Sequence, residues 1–346
     1  IFKPVAQVKF VHTVAAGYVA ASLFVMGVSS WYLLRRMEVR FALRSFAIAS
    51  GFGLAAILSV IVLGDESGYR SGEVQKVKLA AIEAEWETEP APASFTLFGL
   101  PDQGDETTHG AIKIPYVMGI IATRSLDEQV TGLKDLKAQH EVRIRSGMLA
   151  YDALEALRSD GSNAEARATF ERHRADLGYG LLLTPHAKEI GKADESAIAK
   201  AVDDSIPQVA PLFWSFRLMV GIGVVLLGLF AAAFLQLCRG KLVQSPRLLK
   251  ALFWSIPLPW IAIEAGWFVA EFGRQPWTIS DVLPVSASVS LLQPGQLWFS
   301  LISIFLIYST LLVVELFLLR HVIRKGPASL QTGRYQGEVL KNGSPV

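Results

Sequence analysis

Long apolar runs recur along the chain, separated by short basic segments and, once, by a long polar stretch. Five of these runs have about 20 residues or more, the length that a helix needs to cross a hydrocarbon core of about 30 Å. They lie at approximately residues 10–34, 44–63, 212–237, 251–272 and 297–319. Since lipid offers the backbone no hydrogen bonds, the pattern predicts an all-α, polytopic membrane helix bundle with five transmembrane helices.

The polar stretch, residues 64–210, forms a large insert between the second and third spans. Within it, residues 73–87, 133–157 and 193–206 have helix-forming patterns, and prolines follow the first and the third. Residues 89–104, EPAPASFTLFGLPDQG, are rich in proline and aromatic residues, which predicts a loop on a surface. The sequence therefore divides into two spans (1–63), the insert (64–210), three spans (211–325) and a tail (326–346).

Basic residues indicate which way the spans cross the membrane, because Lys and Arg resist translocation. Three basic groups follow the first, third and fifth spans: Arg35, Arg36, Arg40 and Arg44; Arg239, Lys241, Arg247 and Lys250; Arg320, Arg324, Lys325 and Arg334. The short loop after the fourth span has Arg274 as its only basic residue. We therefore expect the three basic groups and the tail to be cytoplasmic and the insert to be extracytoplasmic.

Composition agrees with a membrane protein and excludes several other classes. Apolar residues make up 51% of the 346 residues and charged residues only 18%, against about 25% charged in soluble domains. The formal net charge of +2 gives no basic excess for nucleic acid. The single cysteine, Cys238, excludes an internal disulfide and a Cys-based metal cluster within the chain. The chain opens at Ile1, and its first apolar run is longer than a signal peptide and has no small-residue cleavage site. We therefore expect a fragment or a processed piece.

Ionisable side chains at membrane depth are candidates for function, because each costs several kcal/mol unless it is paired or faces a cavity. The five spans place His12, Arg217, Glu264, Glu271 and Glu315 at such positions. One interpretation is a transporter or channel component in which the three glutamates serve ion or proton passage.

A second interpretation rests on His12 and Met219, which lie at similar depths near the outer ends of the first and third spans. An imidazole and a thioether can ligate low-spin haem iron from two helices. Arg217 is close enough in sequence to neutralise a haem propionate. The alternative is structural, since a lone histidine at a span end often packs between helices and a lone methionine often fills a core.

The fourth span repeats two residue types at an interval of seven. Glu264 and Glu271 are two helical turns apart, and so are Trp260 and Trp267, which puts all four on one side of a helix. Buried carboxylates indicate proton relay or metal ligation, whereas for the tryptophans the pattern favours an interfacial belt or simple packing.

Five motifs resemble subunit I of the cytochrome bd quinol oxidases, in the same order along the chain. They are GDESGY (64–69), KLAAIEAEWE (78–87), FTLFGLPD (95–102), GWFVAE (266–271) and GRQPW (273–277). The resemblance covers essentially the whole chain. It identifies the insert as the family's Q-loop, in its long form.

The resemblance implies roles for individual residues. His12 and Met219 would be the axial ligands of a low-spin haem b, with Arg217 beside it, and Glu271 would ligate a high-spin haem b, with Arg274 nearby. Trp267 would lie on the electron route, and Lys78 and Glu83 would act in quinol oxidation. Being five residues apart, Lys78 and Glu83 do not share a helix face, although they could flank a quinol from two sides.

The resemblance also implies a terminal oxidase of the bacterial inner membrane, with its Q-loop in the periplasm. Ubiquinol or menaquinol would supply electrons through the two haems b and a haem d, or a second haem b in its place, to oxygen. Subunit II and a small single-span subunit would be partners. The family has nine spans, and this chain matches the last five, so the first four, with a further haem-ligating histidine and part of the haem d pocket, are absent from it.

Overall fold

The computed structural model describes residues 4–125 and 127–327. The predicted tail therefore lies almost entirely outside the described residues. The helices are α1 (Pro4–Leu34), α2 (Val39–Val74), α3 (Lys76–Glu83), α4 (Leu133–Ser159), α5 (Ala164–His173), α6 (Leu177–Gly180), α7 (Glu195–Asp204), α8 (Val209–Cys238), α9 (Pro246–Trp254), α10 (Leu258–Phe272) and α11 (Pro294–Lys325). The strands are β1 (Phe95–Asp102), β2 (Thr107–Ile114), β3 (Trp277–Ile279) and β4 (Leu283–Pro284).

The prediction of a helical bundle with five membrane spans is confirmed. The spans are α1, α2, α8, the pair α9 and α10, and α11, and each is long and apolar enough to cross a bilayer. The fourth span is interrupted between Trp254 and Leu258, where Pro257 removes a backbone donor. The second span extends to Val74, so the predicted boundary at residue 63 falls inside a continuous helix.

An apolar core of buried side chains joins the first four spans. It includes Leu23 and Met26 of α1, Phe46 of α2 and Phe230 of α8, all of which are fully buried. Close approach of α2 to α8 requires a glycine, because a Cβ at Gly53 would lie 2.2 Å from Cε1 of Phe230. In contrast, no described residue of α11 is buried within its span, so this helix presents a continuous apolar surface.

The described residues of the three basic segments lie at one end of the bundle, as the charge pattern predicts. Leu33, Leu242 and Leu249, which flank the first two segments, pack in one cluster. The Tyr32 hydroxyl donates a hydrogen bond of 2.6 Å to the carbonyl of Ile323, beside the third segment. The insert therefore lies at the opposite end, and the assignment of that end to the extracytoplasmic side stays a prediction.

The insert contains more structure than its sequence pattern predicts. The predicted helix 133–157 is α4 almost without change, and 193–206 corresponds to α7, but the predicted helix 73–87 is shortened to α3 by a break at Gln75. Two further helices, α5 and α6, were not predicted.

The prediction of a loop at residues 89–104 is wrong for its second half, which forms strand β1 in an antiparallel hairpin with β2. Irregular pairing around Phe98 interrupts the alternation that would have revealed the strand. Trp86 Nε1 donates to Thr108 Oγ1 at 3.1 Å, and Thr108 Oγ1 donates to the Ala84 carbonyl at 3.0 Å. These two bonds attach the hairpin to the segment that follows α3.

We predict that Gly53→Ala lowers the thermal stability of the purified protein, because the new methyl group overlaps the buried Phe230 ring and must displace it, at a cost of about 1–3 kcal/mol. Gly51→Ala in the same helix is the matched control, since its Cβ would lie 3.9 Å from the nearest side chain. Thermal unfolding in detergent measures both variants, and equal midpoints would contradict the packing described here.

Candidate functional site

Two charged residues of α3 are almost completely buried. The exposed fraction is 6% for Lys78 and 3% for Glu83. Between them, Leu79 and Ile82 pack in a cluster with Phe213 of α8 and Val269 of α10. The short helix thus lies across the insert-side ends of two spans. The side chains of Lys78 and Glu83 are buried between it and these spans.

Glu83 forms a buried ion pair with a residue of the third span. Its Oε2 atom lies 2.7 Å from Nη2 of Arg217. The same guanidinium donates through Nε to the Thr96 carbonyl at 3.2 Å and through Nη1 to the Ile82 carbonyl. The Phe213 ring centroid lies 3.8 Å from its central carbon. Arg217 therefore fastens α3 and strand β1 to α8.

Burial makes Glu83 a weak acid. It raises the pKa of the Glu83 carboxyl to about 7, although the Arg217 guanidinium acts in the opposite direction and Glu85 raises it further. A carboxyl with a pKa near 7 can accept and release a proton at physiological pH. This property suits a group that takes a proton from a substrate.

Lys78 points toward the end of α10. Its Nζ atom donates to the Ala270 carbonyl at 3.1 Å, and a Cβ at Gly273 would lie 3.0 Å from Lys78 Cγ. Burial lowers the pKa of Lys78 to about 8; Lys9 and Arg274 lower it further and Glu271 raises it. Lys78 and Glu83 therefore lie on different sides of α3, as their spacing predicts.

The predicted common face of α10 is confirmed, and it is open. Trp260 and Trp267 are 58% and 65% exposed, and Glu264 is exposed between them. Within the described chain, the Glu264 carboxylate has no hydrogen bond or ion pair. Glu271 is paired with Arg274, whose Nε atom is buried and lacks a hydrogen-bond partner among the described residues. This face is available to a bound group or to further helices.

His12 and Met219 both lie in the half of the bundle nearest the insert. His12 Cε1 lies 3.4 Å from the position of a Cβ at Gly64 in α2, and the buried Nδ1 has no hydrogen-bond partner in the part of the chain described. Met219 Sδ lies 2.8 Å from the position of a Cβ at Gly266 in α10. An unsatisfied ring nitrogen and a sulfur seated over a glycine fit the donor set that haem iron takes.

Other predicted residues have less defined surroundings. The hydrogen bonds of Arg217 all go to groups of the insert, so the predicted contact with a haem propionate stays a prediction. Glu315 is exposed on α11.

Sequence reasoning missed Gly266. The absence of a side chain there leaves space for Met219 Sδ, and only the tertiary structure brings these two residues together. It also missed Glu85, which is buried beside Lys113 at 3.4 Å and whose pKa burial raises to about 7. Glu85 lies within the motif KLAAIEAEWE (78–87), so membership of this motif could have identified its carboxylate as a candidate site group.

Fold and site together define a multi-span membrane protein with buried titratable groups at the insert end and with His12 and Met219 in the same half of the bundle. Residues 1–327 match the family of cytochrome bd terminal oxidase subunit I, and the chain belongs to that family. The family match gives no support to the transporter interpretation.

Two curated relatives and one solved structure illustrate the similarity. The chain is 48% identical over 332 residues to cytochrome bd-II ubiquinol oxidase subunit 1 of Escherichia coli, covering 96% of this chain and 65% of the relative. It is 31% identical over 328 residues to cytochrome bd ubiquinol oxidase subunit 1 of Bacillus subtilis, covering 94% and 58%. The bd oxidase of Geobacillus thermodenitrificans shares the fold, with a TM-score of 0.68, 23% identity and coverage of 94% of this chain and 60% of that chain. The chain therefore spans less than two thirds of the length of these proteins.

We predict that Arg217→Gln loosens α3 and β1, because it leaves a buried carboxyl and two carbonyls without their donor. Breaking a buried pair costs about 3–5 kcal/mol. Hydrogen exchange should rise in residues 76–102, and the double variant with Glu83→Gln should recover part of the protection.

Arg145→Gln is the control for this measurement. It removes two exposed ion pairs, to Glu141 at 2.8 Å and to Glu195 at 2.6 Å, which contribute little to stability because water and salt screen them. If Arg217→Gln and Arg145→Gln changed exchange in their own surroundings equally, the anchoring role of Arg217 would be refuted.

Proposed function

We propose that the chain forms the larger part of subunit I of a quinol-oxidising terminal oxidase in the bacterial inner membrane. Quinol is oxidised at the insert, on the periplasmic side, and the electrons reduce oxygen to water. The single observation that carries this proposal is the burial of Lys78 and Glu83 at the membrane edge of the insert, in a chain that belongs to the family of cytochrome bd terminal oxidase subunit I. Two buried titratable groups on an eight-residue helix are costly to fold and are therefore expected to serve chemistry.

Lys78 and Glu83 have different roles toward the quinol. Glu83, as a carboxyl with a pKa near 7, accepts a proton from a quinol hydroxyl, and the Arg217 guanidinium holds its side chain in position. Lys78 offers a hydrogen-bond donor from the opposite side of α3. Oxidation of one quinol releases two protons on the insert side and two electrons to the interior.

His12 and Met219 would hold a low-spin haem b, and Glu271 would hold a high-spin haem b, with Arg274 fixing the Glu271 carboxylate. These groups, together with a haem d, supply one-electron transfer and oxygen reduction when they are bound. Support comes from the unpartnered His12 nitrogen, the sulfur over Gly266 and the open face of α10 that carries Trp267. Trp267 would lie between the haem groups along the electron route.

The names of the relatives favour ubiquinol over menaquinol. The two relatives described above are called ubiquinol oxidases, and a third, from Bacillus subtilis, called a putative menaquinol oxidase, is 23% identical. Subunit II and a small single-span subunit are the proposed partners, for which the exposed side of α11 leaves room. Releasing quinol protons outside and consuming protons inside would charge the membrane, at about 2.3 kcal/mol per charge per 100 mV.

We predict that Lys78→Ala or Glu83→Gln in the full oxidase lowers oxygen consumption driven by quinol, by about 10²-fold for Glu83→Gln, because the proton acceptor is lost. Consumption driven by an artificial electron donor that bypasses the insert should stay near that of the parent. Lys134→Ala is the control, since Lys134 lies on the same insert but is half-buried at its surface and pairs, among the described residues, with Glu87. Equal losses with both donors would rule out a local role in quinol oxidation.

We also predict that Gly266→Ala disturbs the low-spin haem, because the methyl group would occupy the space of Met219 Sδ. The reduced-minus-oxidised optical spectrum should lose or shift its low-spin haem band. Gly221→Ala in α8 is the matched control, since no atom lies within 4 Å of its Cβ position. An unchanged band in Gly266→Ala, with Met219→Leu equally silent, would show that Met219 is not a haem ligand.

A further inference from the structure

A polar cavity of about 230 Å³ lies beside Lys78, on the insert side of the bundle. Lys78 and Arg274 line one part of it, and His140, Tyr179 and Asp281 line another. Such a volume holds several waters at about 30 Å³ each. Charged groups facing it from the neighbouring elements are Glu73, Lys76, Lys78, Arg143, Arg274 and Asp281. The cavity thus connects a buried residue of the proposed quinol site with groups near the surface.

His140 is the buried histidine of this cavity, with only 5% of its surface exposed. Its Nδ1 atom lies 2.8 Å from Ser205 Oγ, and Ser205 donates its only hydrogen to the Val202 carbonyl at 2.6 Å. Nδ1 must therefore carry the proton and donate it to Ser205. Nε2 is left as an acceptor, and no hydrogen bond to a described residue occupies it.

Asp281 forms the outer end of the same arrangement. Tyr179 packs against His140 with ring centroids 5.1 Å apart and ring planes tilted by 60°, and its hydroxyl donates to Asp281 Oδ1 at 2.8 Å. Asp281 Oδ2 lies 3.6 Å from Arg143, and its side chain is 54% exposed. The chain approaches closely here, because a Cβ at Gly178 would lie 2.4 Å from the Asp281 carbonyl oxygen. A neutral imidazole and a solvent-exposed carboxylate therefore border one cavity.

We propose that this cavity is the exit route for the quinol proton that Glu83 does not accept, with His140 as the internal carrier and Asp281 as the outlet. The proposal rests on the quinol site proposed above. Of the two quinol protons, Glu83 accepts one. The other O–H bond breaks on the Lys78 side of α3 as its electron passes to the interior, and that proton moves through cavity water to His140 Nε2 and leaves through water to Asp281 and then to bulk solvent. Burial lowers the pKa of His140 to about 4, so the imidazole holds the proton only in passing.

The test uses His140→Gln and Asp281→Asn in the full oxidase. Gln keeps a polar side chain and Asn keeps an acceptor for the Tyr179 hydroxyl, but neither amide can take up and release a proton near neutral pH. With ubiquinol, kcat should fall about tenfold, less than for loss of a direct base, because cavity water remains. KM should stay constant, the solvent deuterium isotope effect should increase, and turnover with the artificial donor should be unchanged.

The control is His186→Gln, which removes a histidine hydrogen bonded to Asp204 at 2.8 Å on the surface of the same insert. His140→Gly adds a second readout, since added imidazole should restore turnover in this variant and not in the parent. If His140→Gln failed to fold, Asp281→Asn would provide the same kcat and isotope measurements.

Two results would overturn the exit route. An unchanged kcat and isotope effect in both variants would exclude a proton path here, and a raised KM at constant kcat would show that the cavity binds the quinol head group instead. Either result leaves the quinol site intact if Lys78→Ala and Glu83→Gln still lose quinol activity. If those two variants also kept full activity, the proposed function itself would fail.

Discussion

The ion pair between Glu83 and Arg217 is the constraint on which the insert depends. An eight-residue helix such as α3 is too short to be stable alone, so tertiary contacts must hold it. Arg217 supplies these contacts by binding Glu83, the Ile82 carbonyl and the Thr96 carbonyl from within α8. A membrane span thereby fixes both the helix and the first strand of the hairpin, and the titratable carboxyl of Glu83 is placed at the membrane edge.

Proximity of the two proposed activities follows from the same arrangement. The ends of α8 and α10 that hold α3 are also the ends that carry Met219 and Gly266. Electrons leaving a quinol at Lys78 and Glu83 would therefore start within the half of the bundle that contains the proposed low-spin haem ligands. The protons would leave on the insert side while the electrons enter the membrane, and this separation of charge is what a respiratory oxidase requires.

Much of the bundle could be predicted from sequence, because membrane spans are defined by long apolar runs and by helical spacing. The common face of Trp260, Glu264, Trp267 and Glu271 follows from an interval of seven alone. The hairpin could not be predicted, since irregular pairing around Phe98 hides its alternation. The extension of α2 to Val74 was missed because its last turns are polar. The cavity around His140 could not be predicted for a different reason. It is lined by residues 78, 140, 179 and 281, which are distant in sequence and are brought together only by the tertiary fold.

Photo-crosslinking tests the central claim most directly, that quinol is bound between Lys78, Glu83 and the ends of the spans. An azido-quinone would be irradiated with the purified, complete oxidase, and the labelled peptides would be mapped by mass spectrometry, with excess ubiquinol as competitor. We expect competitor-sensitive label in residues 76–83 and in the adjoining end of α10. Competitor-sensitive label confined to the basic end of the bundle, with none on α3, would contradict the account.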